Sequence, residues 1–281
     1  MKLRSLSTGA GGLVLALSTL SGAVQADPIA LAPTLAGQYQ AGHGVDARFL
    51  KIDDAWRQSS VLWDEANGVF GSGVPISTYA WGTGLWGIAD WQTANLSPTP
   101  DMIQGSWSGR VAQIAWSDDL YNDLYGANWG TVDLAPLFSG PSSQDNWTSS
   151  FGGYIRITEA GLYNFSVLHD DGFFFKLHGA SGSTLEISND FLNPRDRLGF
   201  ASELLLSAGL YSFELGAYDR LEAGVVELTW SRNGEAWTRV PTEHLVAYDA
   251  VMAVPEPGSW GLMVIGLLAM GAQAARRRRR G

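Results

Sequence analysis

The chain of 281 residues has no cysteine. That excludes a disulfide framework, a thiolate metal site and a thiol nucleophile, so stability must come from a packed core. Histidine is scarce as well. The four present, His43, His169, His178 and His244, show neither the His-Glu-x-x-His spacing of a zinc enzyme nor another recognisable ligand pattern. No Gly-x-Ser-x-Gly elbow and no Gly-x-x-x-x-Gly-Lys phosphate loop occurs. Cations are few, with 18 Lys and Arg against 28 Asp and Glu and a formal net charge of −10. Setting aside Lys2, Arg4, Arg276 to Arg280 and Glu256, all at the chain ends, leaves 11 cations and 27 acids, a net charge of −16. Such a body repels nucleic acid and suits extracellular life or divalent cations.

The ends carry what the body lacks. Lys2 and Arg4 precede an apolar stretch centred on Gly12 to Leu20 that is too short for an ordinary spanning helix, and small residues follow at Val24 and Ala26. This is the layout of a secretory signal over residues 1–26, cut by signal peptidase after Ala26; a first strand or core helix is the plainer alternative. At the other end, Trp260 to Ala275 is an uncharged run of 16 residues closed by Arg276, Arg277, Arg278, Arg279 and Arg280. The run is marginal against the ~20 residues that comfortably cross a bilayer. Arginines stay on the cytoplasmic side, so residues 260–275 read as a transmembrane helix in the inner membrane and 276–281 as its basic cytoplasmic tail.

Ahead of that helix, in a linker over 251–259, stands Val254-Pro255-Glu256-Pro257. Its two prolines forbid regular structure and leave an extended, accessible backbone. Pro255, Glu256 and Pro257, the apolar run and the arginine cluster together resemble the PEP-CTERM sorting tail of bacterial surface proteins. The resemblance implies recognition by exosortase, a cut near the motif, and only transient anchoring in the inner membrane of a Gram-negative-type bacterium. Display at the cell surface or release follows, typically beside a secreted exopolysaccharide. A plain C-terminal anchor is the alternative.

Between the ends, about 228 residues are enough for one large domain or two small ones. From about Phe151 the pattern has period two. Tyr163, Phe165 and Val167 alternate with Asn164, Ser166 and Leu168, and Phe173, Phe175 and Leu177 with Phe174 and Lys176. Further strands are expected at Thr184 to Ile187, Glu203 to Leu206, Tyr211 to Ala217 and Val225 to Trp230, the short regular spacing of a sandwich or barrel. Ala160-Gly161-Leu162-Tyr163-Asn164-Phe165 returns as Ala208-Gly209-Leu210-Tyr211-Ser212-Phe213. The echo predicts two equivalent turns, each with a left-handed glycine feeding a strand whose aromatics enter one core. The first half is less regular. Leu35 to Tyr39 reads as an opening strand, while Ile52, Trp56, Leu62 and Trp63 fall at helical intervals. Ser117 to Tyr125 reads as a short helix capped by Ser117, with Leu120, Leu124 and Tyr125 inward.

The most informative tetrapeptide is His169-Asp170-Asp171-Gly172, between two alternating strands. Successive strand side chains point to opposite faces, so adjacent carboxylates serve one centre only where the backbone leaves extended geometry. A calcium ion, which takes six to eight oxygen ligands, would offset their repulsion, and Gly172 would let the chain turn beside it. A purely structural turn is the alternative.

Gly153-Tyr154-Ile155, Gly161 to Phe165, Asp170-Asp171-Gly172, Ala208 to Tyr211 and Leu228-Thr229-Trp230 resemble, in order and spacing, the protective-antigen-type domain of bacterial toxins, glycosidase insertions and yeast adhesins. The resemblance implies an all-β, antiparallel, jelly-roll-like β-sandwich over residues 27–250, with a long insertion at about 51–145. In the adhesin branch the paired aspartates are joined by a cis peptide and hold a calcium that chelates neighbouring sugar hydroxyls. Asp170 and Asp171 match those positions, with Gly172 beside them. Asn233, in Arg232-Asn233-Gly234, is the candidate for a further metal ligand.

The pairs Asp53-Asp54 and Asp118-Asp119 read as solvated acids at helix starts. Trp81, Trp86 and Trp91 read either as a sugar-stacking platform or as core. The expected function is a non-enzymatic, exported surface or matrix protein that binds extracellular polysaccharide or envelope glycan with calcium. A structural matrix protein without a sugar site is the main alternative. An exported glycosidase built from two converging carboxylates is the third.

Overall fold

The computed structural model describes residues 27–37, 39–56, 62–64, 69–70, 74–75, 84–129, 132–134 and 145–251. The expected signal with Ala26, and the sorting residues Pro255, Glu256, Pro257 and Arg276 to Arg280, lie outside these, as does Trp81.

Alternating apolar residues become strands. In chain order they are β1 (Ile29–Leu31), β2 (Leu35–Ala36), β3 (Val45–Ile52), β4 (Leu62–Asp64), β5 (Val69–Phe70), β6 (Val74–Pro75), β7 (Ile103–Val111), β8 (Ala115–Ser117) and β9 (Asp133–Leu134). The second half adds β10 (Trp147–Ile157), β11 (Gly161–Asp170), β12 (Gly172–His178), β13 (Thr184–Asn189), β14 (Asp196–Gly199), β15 (Leu204–Leu206), β16 (Gly209–Asp219), β17 (Val225–Arg232), β18 (Thr238–Arg239) and β19 (Leu245–Val246). Two helices, α1 (Ile88–Leu96) and α2 (Asp119–Trp129), interrupt the first half.

Among the described residues the strands form a small three-stranded sheet, β5-β4-β6, and two large ones. One runs β1-β15-β11-β17-β8-β9, with β14 on β11 and β18 on β17; the other runs β13-β12-β16-β10-β3-β7, with β19 on β10 and β2 on β16. Pairing is antiparallel except at β1–β15 and β8–β9. A single cluster joins the facing sides: Tyr163, Phe165 and Val167 from β11, Phe173, Phe175 and Leu177 from β12, and Tyr211, Phe213 and Leu215 from β16, with Phe49, Trp147 and Phe151. This is a β-sandwich in which period two sorts side chains inward and outward. Each such aromatic, fully buried, contributes roughly 1.5–3 kcal/mol.

The echo at Gly161 and Gly209 builds the same device in each sheet. The Tyr163 hydroxyl donates to the Glu159 carbonyl at 2.8 Å, and the Tyr211 hydroxyl lies 3.0 Å from the Ser207 carbonyl, four residues back in both cases. The expectation of two left-handed glycines holds at Gly209, with φ 147°, but Gly161 has no positive φ.

On the outside of the second sheet α1 lays Trp91 edge-on to Phe174, ring centroids 4.7 Å apart, with its indole N–H on the Ser149 carbonyl at 2.9 Å. The approach needs Gly216 beneath, because a Cβ there would come within 2.6 Å of Phe174 and 2.7 Å of Trp91. On the outside of the first sheet, Glu227 is 4% exposed and accepts from Arg197 Nη2 at 2.7 Å and Arg239 Nε at 2.6 Å.

Three expectations change. The stretch 51–145 is not one insertion: β7 pairs along β3 and β8 pairs with β17, so residues 103–117 belong to the sandwich. Ile52 ends a strand and Leu62 and Trp63 sit in another, so the described residues there hold no helix; a chance spacing of apolar residues imitated one. The cap of α2 is Asp118, whose carboxylate accepts the Tyr121 N–H at 2.7 Å, while Ser117 is the buried last residue of β8. Tyr121 in that helix is buried, whereas Leu120 and Leu124 are exposed.

Candidate metal and ligand site

One end of the sandwich is closed by segments that pass between the sheets. β11 ends at Asp170, opposite Val225 in the first sheet, and β12 begins at Gly172, opposite Tyr218 in the second. Asp171 is therefore the single residue of the passage, and its N–H is bonded to the Tyr218 carbonyl at 2.9 Å. The Asp170–Asp171 peptide bond is cis. Residues 190–195, between β13 and β14, and 220–224, between β16 and β17, cross at the same end. Gly172 is demanded by space: a Cβ there would collide with the Tyr218 hydroxyl and lie 2.8 Å from the Asn189 carbonyl.

These crossings enclose a cleft of about 470 Å³, lined by Asp170 and Asp171 with Tyr125, Asn193, Arg195 and Glu222. Asp171 is 9% exposed and accepts the Arg220 N–H at 2.9 Å. Burial pushes its carboxyl up to about 7, against the opposing pull of that hydrogen bond and of the Arg220 charge. Asp170 is pushed up to about 8, first by burial and then by the charges of Asp171 and Asp118. His169, fully buried, places Nδ1 2.9 Å from the Asp171 carbonyl, and burial lowers its pKa. The Arg195 guanidinium lies 3.8 Å over the Tyr125 ring, and Arg220 lies 4.1 Å over Trp86.

Two more carboxylates stand behind the pair. Asp118, fully buried, takes the N–H groups of Tyr121 and Gly224, yet burial raises it to about 7. Asp219 is fully buried and raised well above the carboxylate range, by burial first and then by Asp171, Asp118 and Asp170.

Asn233 does not join them. It stands in the turn after β17, at the far end of that strand from Val225, which faces Asp170. Its carboxamide oxygen accepts the Leu162 N–H at 3.0 Å, and its φ of 49° shows it serving the turn. Asn193 is the asparagine that lines the cleft, its Nδ2 turned to the Asp190 carbonyl at 2.7 Å. Among the described residues, no group of three or more His, Cys, Asp and Glu is arranged to hold a metal ion. Oxygen ligands beyond the aspartates would have to come from Asn193, carbonyls or water.

The other sequence candidates are placed elsewhere. Asp53, in the turn after β3, accepts from the Ala55 N–H and from Gln104, and Asp54 pairs with Lys51 at 2.6 Å. Trp86 is fully buried and Trp91 is 9% exposed, so neither offers a face for stacking. Sequence reasoning passed over Asp219, although a signal existed. It follows Tyr211, Phe213, Leu215 and Ala217 at period two, an acid where the pattern demands an apolar residue.

Residues 253–280 match a family of C-terminal sorting sequences. The tail is a PEP-CTERM protein-sorting motif. The PEP-CTERM tail indicates export with sorting at the membrane, in keeping with the signal layout at the other end. Among the described residues no helix is long and apolar enough to cross a membrane, and the run 260–275 lies outside them.

No curated protein sequence matches the chain. Among solved structures, a PA14 sugar-binding domain from an RTX adhesin is 17% identical, covering 74% of this chain and 99% of its own, with TM-score 0.44. The epithelial adhesin 6 A domain from Candida glabrata, in complex with Galβ1-3GlcNAc, is 13% identical, covering 80% and 97%, with TM-score 0.47. The PA14 domain of the MpAFP antifreeze protein is 15% identical, covering 75% and 95%, with TM-score 0.43. These are similarities of fold, and the sandwich itself rests on the strand order and register given above.

Proposed function

We propose that this PEP-CTERM protein is displayed or released outside the cell and binds carbohydrate through a calcium ion held at the Asp170–Asp171 cleft. One observation carries the reading. An open cleft is floored by two adjacent aspartates whose carboxyls, with Asp118 and Asp219 behind them, are all raised by burial, the charges of the neighbouring aspartates adding to the rise at Asp170 and Asp219. Four acids gathered at one end of a sandwich suit a divalent cation, which would restore their charged forms. Asp170 and Asp171 would hold it, with Asn193 replacing Asn233 as the side-chain candidate. The ion would supply exchangeable positions for a vicinal diol, while Tyr125, Arg195 and Glu222 would choose among sugars by shape and hydrogen bonding. Such a site is shallow and wet, so single-site affinity is weak and attachment comes from many copies on one surface.

The test is a glycan array, and retention of the producer's own exopolysaccharide, with calcium, with chelator and with Asp170→Asn. Calcium-dependent retention lost in the variant supports the reading; retention indifferent to all three rejects the cleft as the centre.

A second reading, a structural matrix protein without a sugar site, is favoured by the lack of a third acidic or histidine ligand among the described residues. It predicts no retention of any glycan and no response to calcium. Trimming of the tail by exosortase is part of both readings.

A further inference from the structure

The end of β16 holds a residue that the strand's own pattern rejects. Tyr211, Phe213, Leu215 and Ala217 all enter the core, and Asp219 occupies the next inward position, paired in register with Trp147. It is fully buried, and among the described residues neither carboxyl oxygen has a hydrogen-bond partner. Two other buried acids are satisfied: Asp118 takes two backbone N–H groups, and Glu227 takes two arginines. A buried acid kept for structure is normally a hub of this kind, because an unsatisfied one costs its full desolvation. The charges acting on Asp219 are those of Asp171, Asp118, Asp170 and Asp145, with Asp171 foremost.

Space is also kept for it. Gly224 lies against Asp219, where a Cβ would come within 2.6 Å of both its Cβ and its Cγ. The chain thus gives up a side chain in the β16–β17 crossing to seat a carboxyl that has no hydrogen-bond partner among the described residues.

We propose that Asp219 is the buried counter-charge for the cation of the Asp170–Asp171 cleft, a residue that sets the affinity of that ion from behind Asp171. This rests on the calcium reading of the cleft. A carboxylate in a low-dielectric interior acts on a divalent ion several ångströms away far more strongly than one in water. Asp219 needs no place in the coordination shell to do so.

The experiment is a calorimetric calcium titration of the exported protein, well below its melting temperature, beside melting in chelator. The wild type is compared with Asp219→Asn and Asp170→Asn. Asp219→Asn keeps the shape and removes the charge. It is expected to melt in chelator at or above the wild-type temperature, yet to bind calcium at least about tenfold more weakly. An unchanged calcium affinity in Asp219→Asn overturns the proposal, as does a fall in metal-free melting with affinity intact, the signature of a merely structural role. Absence of calcium binding by the wild type would instead overturn the cleft reading on which the proposal stands. Should Asp219→Asn fail to fold, Gly224→Ala, which displaces the carboxyl, is the second variant, with the same expected loss of affinity.

Discussion

Glu227 offers a direct measure of what the outer face of the first sheet contributes. It alternates with Val226 and Leu228, which point into the core, and its carboxylate is clamped between Arg197 and Arg239. Its side chain is 5% exposed, against 27% and 29% for the two arginines. Replacing Glu227 with Ala leaves two partly covered cations side by side without their anion. Breaking a buried pair costs about 3–5 kcal/mol. Here both guanidinium groups can turn partly to water, so the loss should be about 2–4 kcal/mol. For a body of this size each kcal/mol shifts the melting temperature by about 2–4 °C, which gives a drop on the order of 5–15 °C. Glu227→Gln, which keeps the shape and one acceptor, should fall between. Urea melts in chelator are the assay, and the clamp predicts a lower midpoint with unchanged slope. A loss under about 1 kcal/mol for Glu227→Ala would show that the arginines hold nothing there.

The metal-free protein should lose stability as pH rises. Asp170, Asp171 and Asp118 titrate near 8, 7 and 7 when folded against 3.8 unfolded, so the folded state holds protons that the unfolded chain has released. That contribution is full below about pH 4 and gone above pH 8, several kcal/mol in all; melts in chelator that strengthen from pH 5 to pH 8 would contradict it. Calcium at a hundredfold excess over its dissociation constant should add about 2.7 kcal/mol, and Asp171→Asn should remove most of that gain; an equal shift in the variant places the ion elsewhere. Replacing Pro255 and Pro257 should block trimming of the PEP-CTERM tail, and mass spectrometry finding an intact arginine tail on external wild-type protein would refute the sorting step.

The sandwich was legible where burial is one-sided. Tyr163, Phe165, Val167 and Phe173, Phe175, Leu177 announce their strands because each inward position needs an apolar residue. It was illegible at β7, where Gln104, Ser106, Ser108 and Arg110 alternate with Ile103, Gly105, Trp107 and Gly109 and the strand is exposed on much of its length. Asp170 and Asp171 stood out as a pair, but Asn193 and Arg195 come from a crossing with no motif, and topology alone brings them to the cleft. Asn233 failed as a ligand for the same reason: its sequence context fits, but β17 carries it to the wrong end.

The order in which strands find partners bears on how such a chain leaves the cell. β1 lies beside β15 and β2 beside β16, while β3 is completed by β10 and β10 by β19. The first strands to emerge from a translocation channel, β1 and β2, must therefore wait for partners about 175 residues behind them, as Ile29 lies opposite Leu204 and Leu35 opposite Leu210. Pairings so distant close slowly, which leaves the precursor threadable until nearly all of it is across.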